Sequence, residues 1–151
     1  MKSFYHVIDS LRNELLTYPF VKTVIEGEPN DVDIVKQSIY PIANIQVLSA
    51  RPKEGVIEFD ISLINADIVN DSRVLTSDIF KGNNDRQDIL NNQLIVVGRL
   101  EASLRHGVLR DLEFELLSDV STNPFTDRFE NVLSGWETTF TISIPNEMSV
   151  C

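Results

Sequence analysis

From Trp136 to Pro145 the chain alternates between two kinds of side chain. Trp136, Thr138, Phe140, Ile142 and Ile144 fall on one parity, and Glu137, Thr139, Thr141 and Ser143 on the other. Successive side chains of a strand point to opposite faces, so the pattern predicts a half-buried strand over Gly135–Pro145. It holds the only tryptophan, opens at a glycine and stops at a proline, which has no N–H to continue a ladder. A strand with one apolar face needs strands beside it and a layer above it. The rest of the chain is therefore read as packed around this one.

Other segments supply those partners. Residues 3–17 place Phe4, Val7, Ile8, Leu11 and Leu15 at helical spacing, with Ser3 as N-cap and Tyr18-Pro19 as the stop. Val21–Glu26 is a short β-branched run, predicted as a first strand, and Gly27–Asn30 is turn chemistry. Residues 31–38 read as a short helix or turn. Pro41–Ala50 and Gly55–Val69 predict a long hairpin. Its second arm alternates Ile57, Phe59, Ile61 and Leu63 with Glu58, Asp60 and Ser62, and Arg51–Gly55 forms the polar link.

Residues 70–83 read as a connection. Asn84 with Gln87 forms a capping box for a second long helix, whose stripe is Ile89, Leu90, Leu94, Val97, Leu100 and Leu104, ending at Gly107. Leu109–Leu117 returns to alternation, with Glu113 and Glu115 on one strand face, Asn123–Asp127 is a turn, and 128–133 is strand or one helical turn. The order predicts a single α+β domain over 1–151, with an antiparallel or mixed sheet and two main helices packed on one face. The other face of the sheet is expected to be polar and open to a partner.

Charge narrows the partners. With 23 acids against 13 bases the formal net charge is −10, which disfavours nonspecific nucleic-acid or anionic-membrane binding. An acidic wall can still line a passage through which a duplex slides. One cysteine, Cys151, excludes an internal disulfide and a multi-cysteine metal site. No apolar run reaches the length of a membrane span, and residues 1–15 lack the apolar block of a signal peptide. The expectation is a soluble protein made in the cytoplasm.

Catalytic chemistry finds no foothold. His6 falls on the polar side of the first helix and His106 at a helix C-terminus, and both read as solvated or capping residues. Asn30, Asp31 and Asp33, like Asn83 to Asp88, lack calcium-loop spacing and read as turn and capping groups. The pairs Glu58/Asp60 and Glu113/Glu115 would each point to solvent or an interface rather than into a site that shifts their pKa values apart. No nucleotide-loop, nucleophile-elbow or zinc-protease motif occurs. No catalytic residue, cofactor or metal ligand is assigned.

One stretch supports a resemblance. The run Asn123-Pro124-Phe125-Thr126-Asp127-Arg128-Phe129, then Leu133-Ser134-Gly135-Trp136, then the strand closing at Ile144-Pro145 before a terminal cysteine, resembles small virion proteins of phages infecting Bacteroidetes hosts, the crAss-like group. With the N-terminal helix, the Tyr40-Pro41 entry to the hairpin and the central helix, the layout is similar to tail-terminator and head–tail joining (neck) proteins of tailed bacteriophages.

That resemblance implies a non-catalytic virion protein, made in the host cytoplasm. It implies a homo-oligomeric ring of six or twelve copies that docks to portal, adaptor and tail proteins. Duplex DNA would pass through the lumen without specific binding, and no membrane is involved. Candidate contacts with neighbours are Arg51 and Lys53 at the hairpin, and Asp71, Arg73, Leu75 and Phe80 in the connection. Trp136 is either core or an intersubunit anchor. The alternatives are a non-viral cytosolic adaptor module that binds proteins by its sheet, and a small-ligand-binding enzyme with an unrecognised pocket.

Overall fold

Period-two segments become one sheet and period-3.6 segments cover one of its faces. The computed structural model describes residues 3–27, 40–68, 85–126 and 133–145. In chain order the elements are α1 (Ser3–Leu16), β1 (Thr23–Glu26), β2 (Ile42–Lys53), β3 (Val56–Ile68), α2 (Asp85–His106), α3 (Val108–Asp111), β4 (Glu115–Leu116), β5 (Ser121–Thr126) and β6 (Leu133–Pro145). The six strands form one mixed sheet in the order β1-β2-β3-β6-β4, with β5 also on β6. Among the described residues only the β1–β2 pairing is parallel. This is the expected α+β class.

β6 lies inside the sheet, paired along its whole length with β3 from Ile68↔Leu133 to Val56↔Pro145. On its other side β5 covers residues 134–139 and β4 covers 142–143. β4 and β5 run in line, as one edge strand interrupted at 117–120.

The inward parity of β2, β3 and β6 (Ala43, Ile45, Ile57, Phe59, Ile61, Leu63, Phe140, Ile142, Ile144) forms one core with Val7, Leu11 and Leu15 of α1 and Val96, Leu100 and Leu104 of α2. Both main helices therefore cover the same face. Burying a Leu, Ile or Phe side chain stabilises by about 1.5–3 kcal/mol, so this face dominates the cohesion of the fold. The opposite face is not uniformly polar, as the pattern suggested. At one end Tyr40, Ile42 and Leu133 make a second buried cluster with Ile25, Ile68 and Phe125 against it. At the hairpin end that face is polar.

Several local expectations are corrected. The hairpin turn is only Glu54-Gly55, with Gly55 at φ 79°; Arg51, Pro52 and Lys53 belong to β2, paired with Glu58, Ile57 and Val56. β1 begins at Thr23, and β6 already at Leu133. The segment expected as a strand from Leu109 is first a helical turn, α3, and only Glu115–Leu116 pairs. Its end is closed by two backbone bonds, Glu113 N–H to the Arg110 carbonyl at 3.0 Å and Phe114 N–H to the Leu109 carbonyl at 3.1 Å. These are the two bonds of a Schellman ending, with Leu109 and Phe114 both fully buried beneath it. Glu113 takes the left-handed position at φ 71°, so it shares no strand face with Glu115.

Ser121–Thr126, expected as a turn around Pro124, is strand β5. Its proline is tolerated because the strand is paired on one side only. In α2 the buried stripe is Ile89, Gln93, Val96, Val97, Leu100, Ser103 and Leu104, while Leu94 is exposed. A buried glutamine shifts the stripe by one position, for a reason given below. His6 is not a solvated side chain: its ring meets the edge of Phe114 with centroids 5.4 Å apart.

Candidate interaction surface

The polar end of the outer face is built by strand register. β2 pairs Ser49 with Asp60 and Arg51 with Glu58, and β6 sets Thr141 opposite Asp60. All these side chains leave the sheet on the side away from the helices. Arg51 forks onto Asp60, Nη1 to Oδ2 at 2.6 Å and Nη2 to Oδ1 at 3.0 Å, and reaches Glu58 through Nε at 3.3 Å. Ser49 and Thr141 each donate to Asp60 at 2.7 Å, and Lys53 donates to Glu58 at 2.7 Å.

The protonation states follow from these contacts. The Arg51 guanidinium, with the Ser49 and Thr141 hydroxyls, holds the Asp60 carboxyl well below the ordinary carboxylate range. Lys53 and then Arg51 hold Glu58 down in the same way, and Arg51 is itself held more firmly protonated. The network crosses β2, β3 and β6 and keeps both its acids ionised. A groove of about 260 Å3 beside it is lined by Leu48, Asp60, Ser118, Asp119, Thr139 and Thr141 among others. Asp60 already accepts four hydrogen bonds, the capacity of a carboxylate, so it has nothing left to offer a ligand there.

The flanks of the sheet differ from one another. β1 covers β2 only at Ile42–Ile45, so from Gln46 to Lys53 the outer edge of β2 has no strand partner among the described residues. A bulge between Val47 and Ser49 interrupts that edge and leaves Leu48 54% exposed. Pro52 removes a main-chain donor from it. The far edge, three strands away, is the β4–β5 line, where Leu117 is 44% exposed and Glu113, Glu115 and Asp119 are exposed acids. It too contains a proline, Pro124.

The sequence-predicted contact residues divide into three groups. Arg51 and Lys53 come together in the network, on a strand rather than at a loop tip. Trp136 turns inward, half-buried, and its Nε1–H donates to the Leu90 carbonyl of α2 at 2.8 Å, so it anchors within the chain. Asp71, Arg73, Leu75 and Phe80 lie outside the described residues, as do the segment 31–38 and the Asn84 cap. Leu48 and Leu117 were not singled out from the sequence. Two apolar neighbours, Val47-Leu48, in an otherwise alternating strand were the available sign of a bulge. Among the described residues no three His, Cys, Asp or Glu side chains converge as a metal site requires, and no helix there is long and apolar enough to cross a membrane. No protein-family model matches the chain, and no curated protein matches it in sequence.

Proposed function

We propose that this protein is a structural subunit of a ring at the head–tail junction of a tailed phage, at the neck or tail terminus. It acts by self-assembly and by docking to portal, adaptor and tail proteins, without catalysis. The observation that carries this reading is that one sheet presents, on opposite sides, two chemically different edges that have no strand partner among the described residues. A closed ring needs a heterologous contact, in which each copy meets one neighbour with one surface and the next with another. The resemblance of Asn123–Phe129, Leu133–Trp136 and the strand closing at Ile144-Pro145 to phage virion proteins supports reading such a ring as part of a virion, with six or twelve copies. The net charge of −10 suits a lumen that passes duplex DNA without holding it.

Negative-stain electron microscopy of the purified protein, alone and mixed with the portal and tail proteins of the same phage, tests the reading. Ring particles are the expected result. A protein that stays monomeric both alone and with those partners, and is missing from purified virions, would remove it in favour of an adaptor module.

A further inference from the structure

We propose that the joint between neighbouring copies is made by the outer edge of β2, at Leu48, Arg51 and Lys53, against the β4 edge of the next copy, at Glu113, Glu115 and Leu117. This rests on the ring reading and adds to it the two surfaces that meet. The edges lie three strand spacings apart, roughly 14 Å, and face opposite ways, so one copy can hold a neighbour on each side.

Charge sets the direction of the contact. The Arg51 and Lys53 side chains stay 44% and 54% exposed even while paired with Glu58 and Asp60, so this end of β2 offers two cations, set beside the acids Glu54, Glu58 and Asp60. On the β4 edge Glu113 and Glu115 are exposed, with no ion-pair partner among the described residues. Asp111 and Asp119 are exposed beside them. The cations nearby are Arg105, paired with Glu101 and Asp119, and Arg110, which makes a long 3.5 Å contact to the Phe114 carbonyl and lines one cleft with Arg105 and Glu115; the acids outnumber them. Two β4 edges repel one another, whereas a β4 edge and a β2 edge attract. Like-with-like pairing is thereby disfavoured and head-to-tail pairing selected.

Beside each edge a leucine is exposed: Leu117 at β4, and Leu48 at the β2 bulge, where it borders the outer-face groove that Asp119 also lines. Each gives an apolar contact that a charged rim can surround. Strand addition does not make this joint. Pro52 and the bulge at Leu48 remove main-chain pairing from one side, and β4 offers only two paired residues on the other. The contact is therefore one of side chains, and charge reversal reads it directly.

The test is a charge swap between Lys53→Glu and Glu115→Lys, followed by sedimentation velocity and negative stain on the full chain. Each variant alone is expected to raise the concentration for half-assembly about tenfold at low salt. A 1:1 mixture is expected to recover wild-type assembly, because alternating copies restore every joint and an even-numbered ring lets the alternation close. E115K disturbs no ion pair among the described residues, so it carries the test should K53E fold poorly. Its effect must shrink in about 1 M salt. Rings that form equally well in E115K, or a mixture no better than its components, overturn this joint and leave the ring standing. A wild type without rings up to about 1 mM, alone and with its phage partners, overturns both.

Discussion

Asn65 and Trp136 are direct cross-strand partners on β3 and β6, and both donate into the same stretch of α2. Asn65 Nδ2 reaches the Gln93 carbonyl at 2.8 Å and Gln93 Oε1 at 3.1 Å, while Trp136 reaches the Leu90 carbonyl. Gln93 Nε2 goes on to the Phe20 carbonyl at 3.1 Å, so α2, the sheet and the chain after α1 are pinned at one place. This is why Gln93 displaces Leu94 from the buried stripe.

The pair should behave as a unit. Trp136→Phe keeps most of the apolar area and loses the N–H, at a cost of about 1 kcal/mol, and Asn65→Ala costs about 1–3 kcal/mol by stranding its buried partners. Trp136→Ala is expected to cost about 2–3 kcal/mol, below the figure for a fully buried tryptophan. Urea unfolding of the single and double variants measures the coupling. Strict additivity would mean that the two contacts hold α2 independently.

Glycine replacements should separate by place. A Cβ on Gly135 would lie 2.0 Å from the Asn65 carbonyl oxygen and 2.7 Å from the Ala66 Cα, so Gly135→Ala must push β6 from β3, costing about 3 kcal/mol. A Cβ on Gly98, within α2, meets nothing within 4 Å. Gly98→Ala should stabilise by about 0.5–1 kcal/mol through helix propensity. Opposite signs in the two melting temperatures are the expected outcome.

At Glu113 the left-handed backbone costs an ordinary residue about 1–2 kcal/mol that glycine does not bear. Allowing for the greater freedom of glycine in the unfolded chain, Glu113→Gly should raise stability by about 0.5–1 kcal/mol, and a β-branched Glu113→Val should lower it. Differential scanning calorimetry of the two variants provides the check. Equal melting temperatures would show that the α3 ending is not held at this angle in solution.

Acid should loosen the outer network in a defined direction. Asp60 and Glu58 have native pKa values held below their unfolded values. Their contribution is therefore present above the unfolded carboxylate range, at about pH 4 and higher. It is lost as pH falls from there through the depressed native values. The stability difference between wild type and Asp60→Asn should be largest near neutrality and shrink below about pH 4. A difference that grows in acid would contradict the assignment.

The class of fold, the burial of alternate positions in β3 and β6, and α1 with its proline stop were legible in the sequence because each rests on a local period. Misreadings came where tertiary pairing overrode local chemistry. Asn123-Pro124 looks like a turn until β6 supplies a partner for one side of it. Leu112, Phe114 and Leu116 alternate like a strand, yet Leu109 and Phe114 are brought together by a helix ending that alternation cannot reveal. For the candidate surface, Arg51 and Lys53 were singled out from the sequence as contact candidates, and the structure brings them together in one network. Glu113 and Glu115 read only as a pair facing solvent or an interface, and their place on the far edge from Arg51 was not legible, because two edges of a sheet are far apart in sequence and become comparable only once strand order is known.

An unpaired strand edge is also the template on which proteins aggregate into cross-β fibres. Pro52 and the neighbouring bulge on one flank, and Pro124 on the other, each withdraw main-chain donors from such a template. In the joint we propose, the two flanks meet through side chains that exchange with water and salt, and not through a zipper of backbone bonds. A protein accumulated in a crowded cell before its partners arrive gains from this in a simple way: its contacts stay reversible, and misplaced copies can let go.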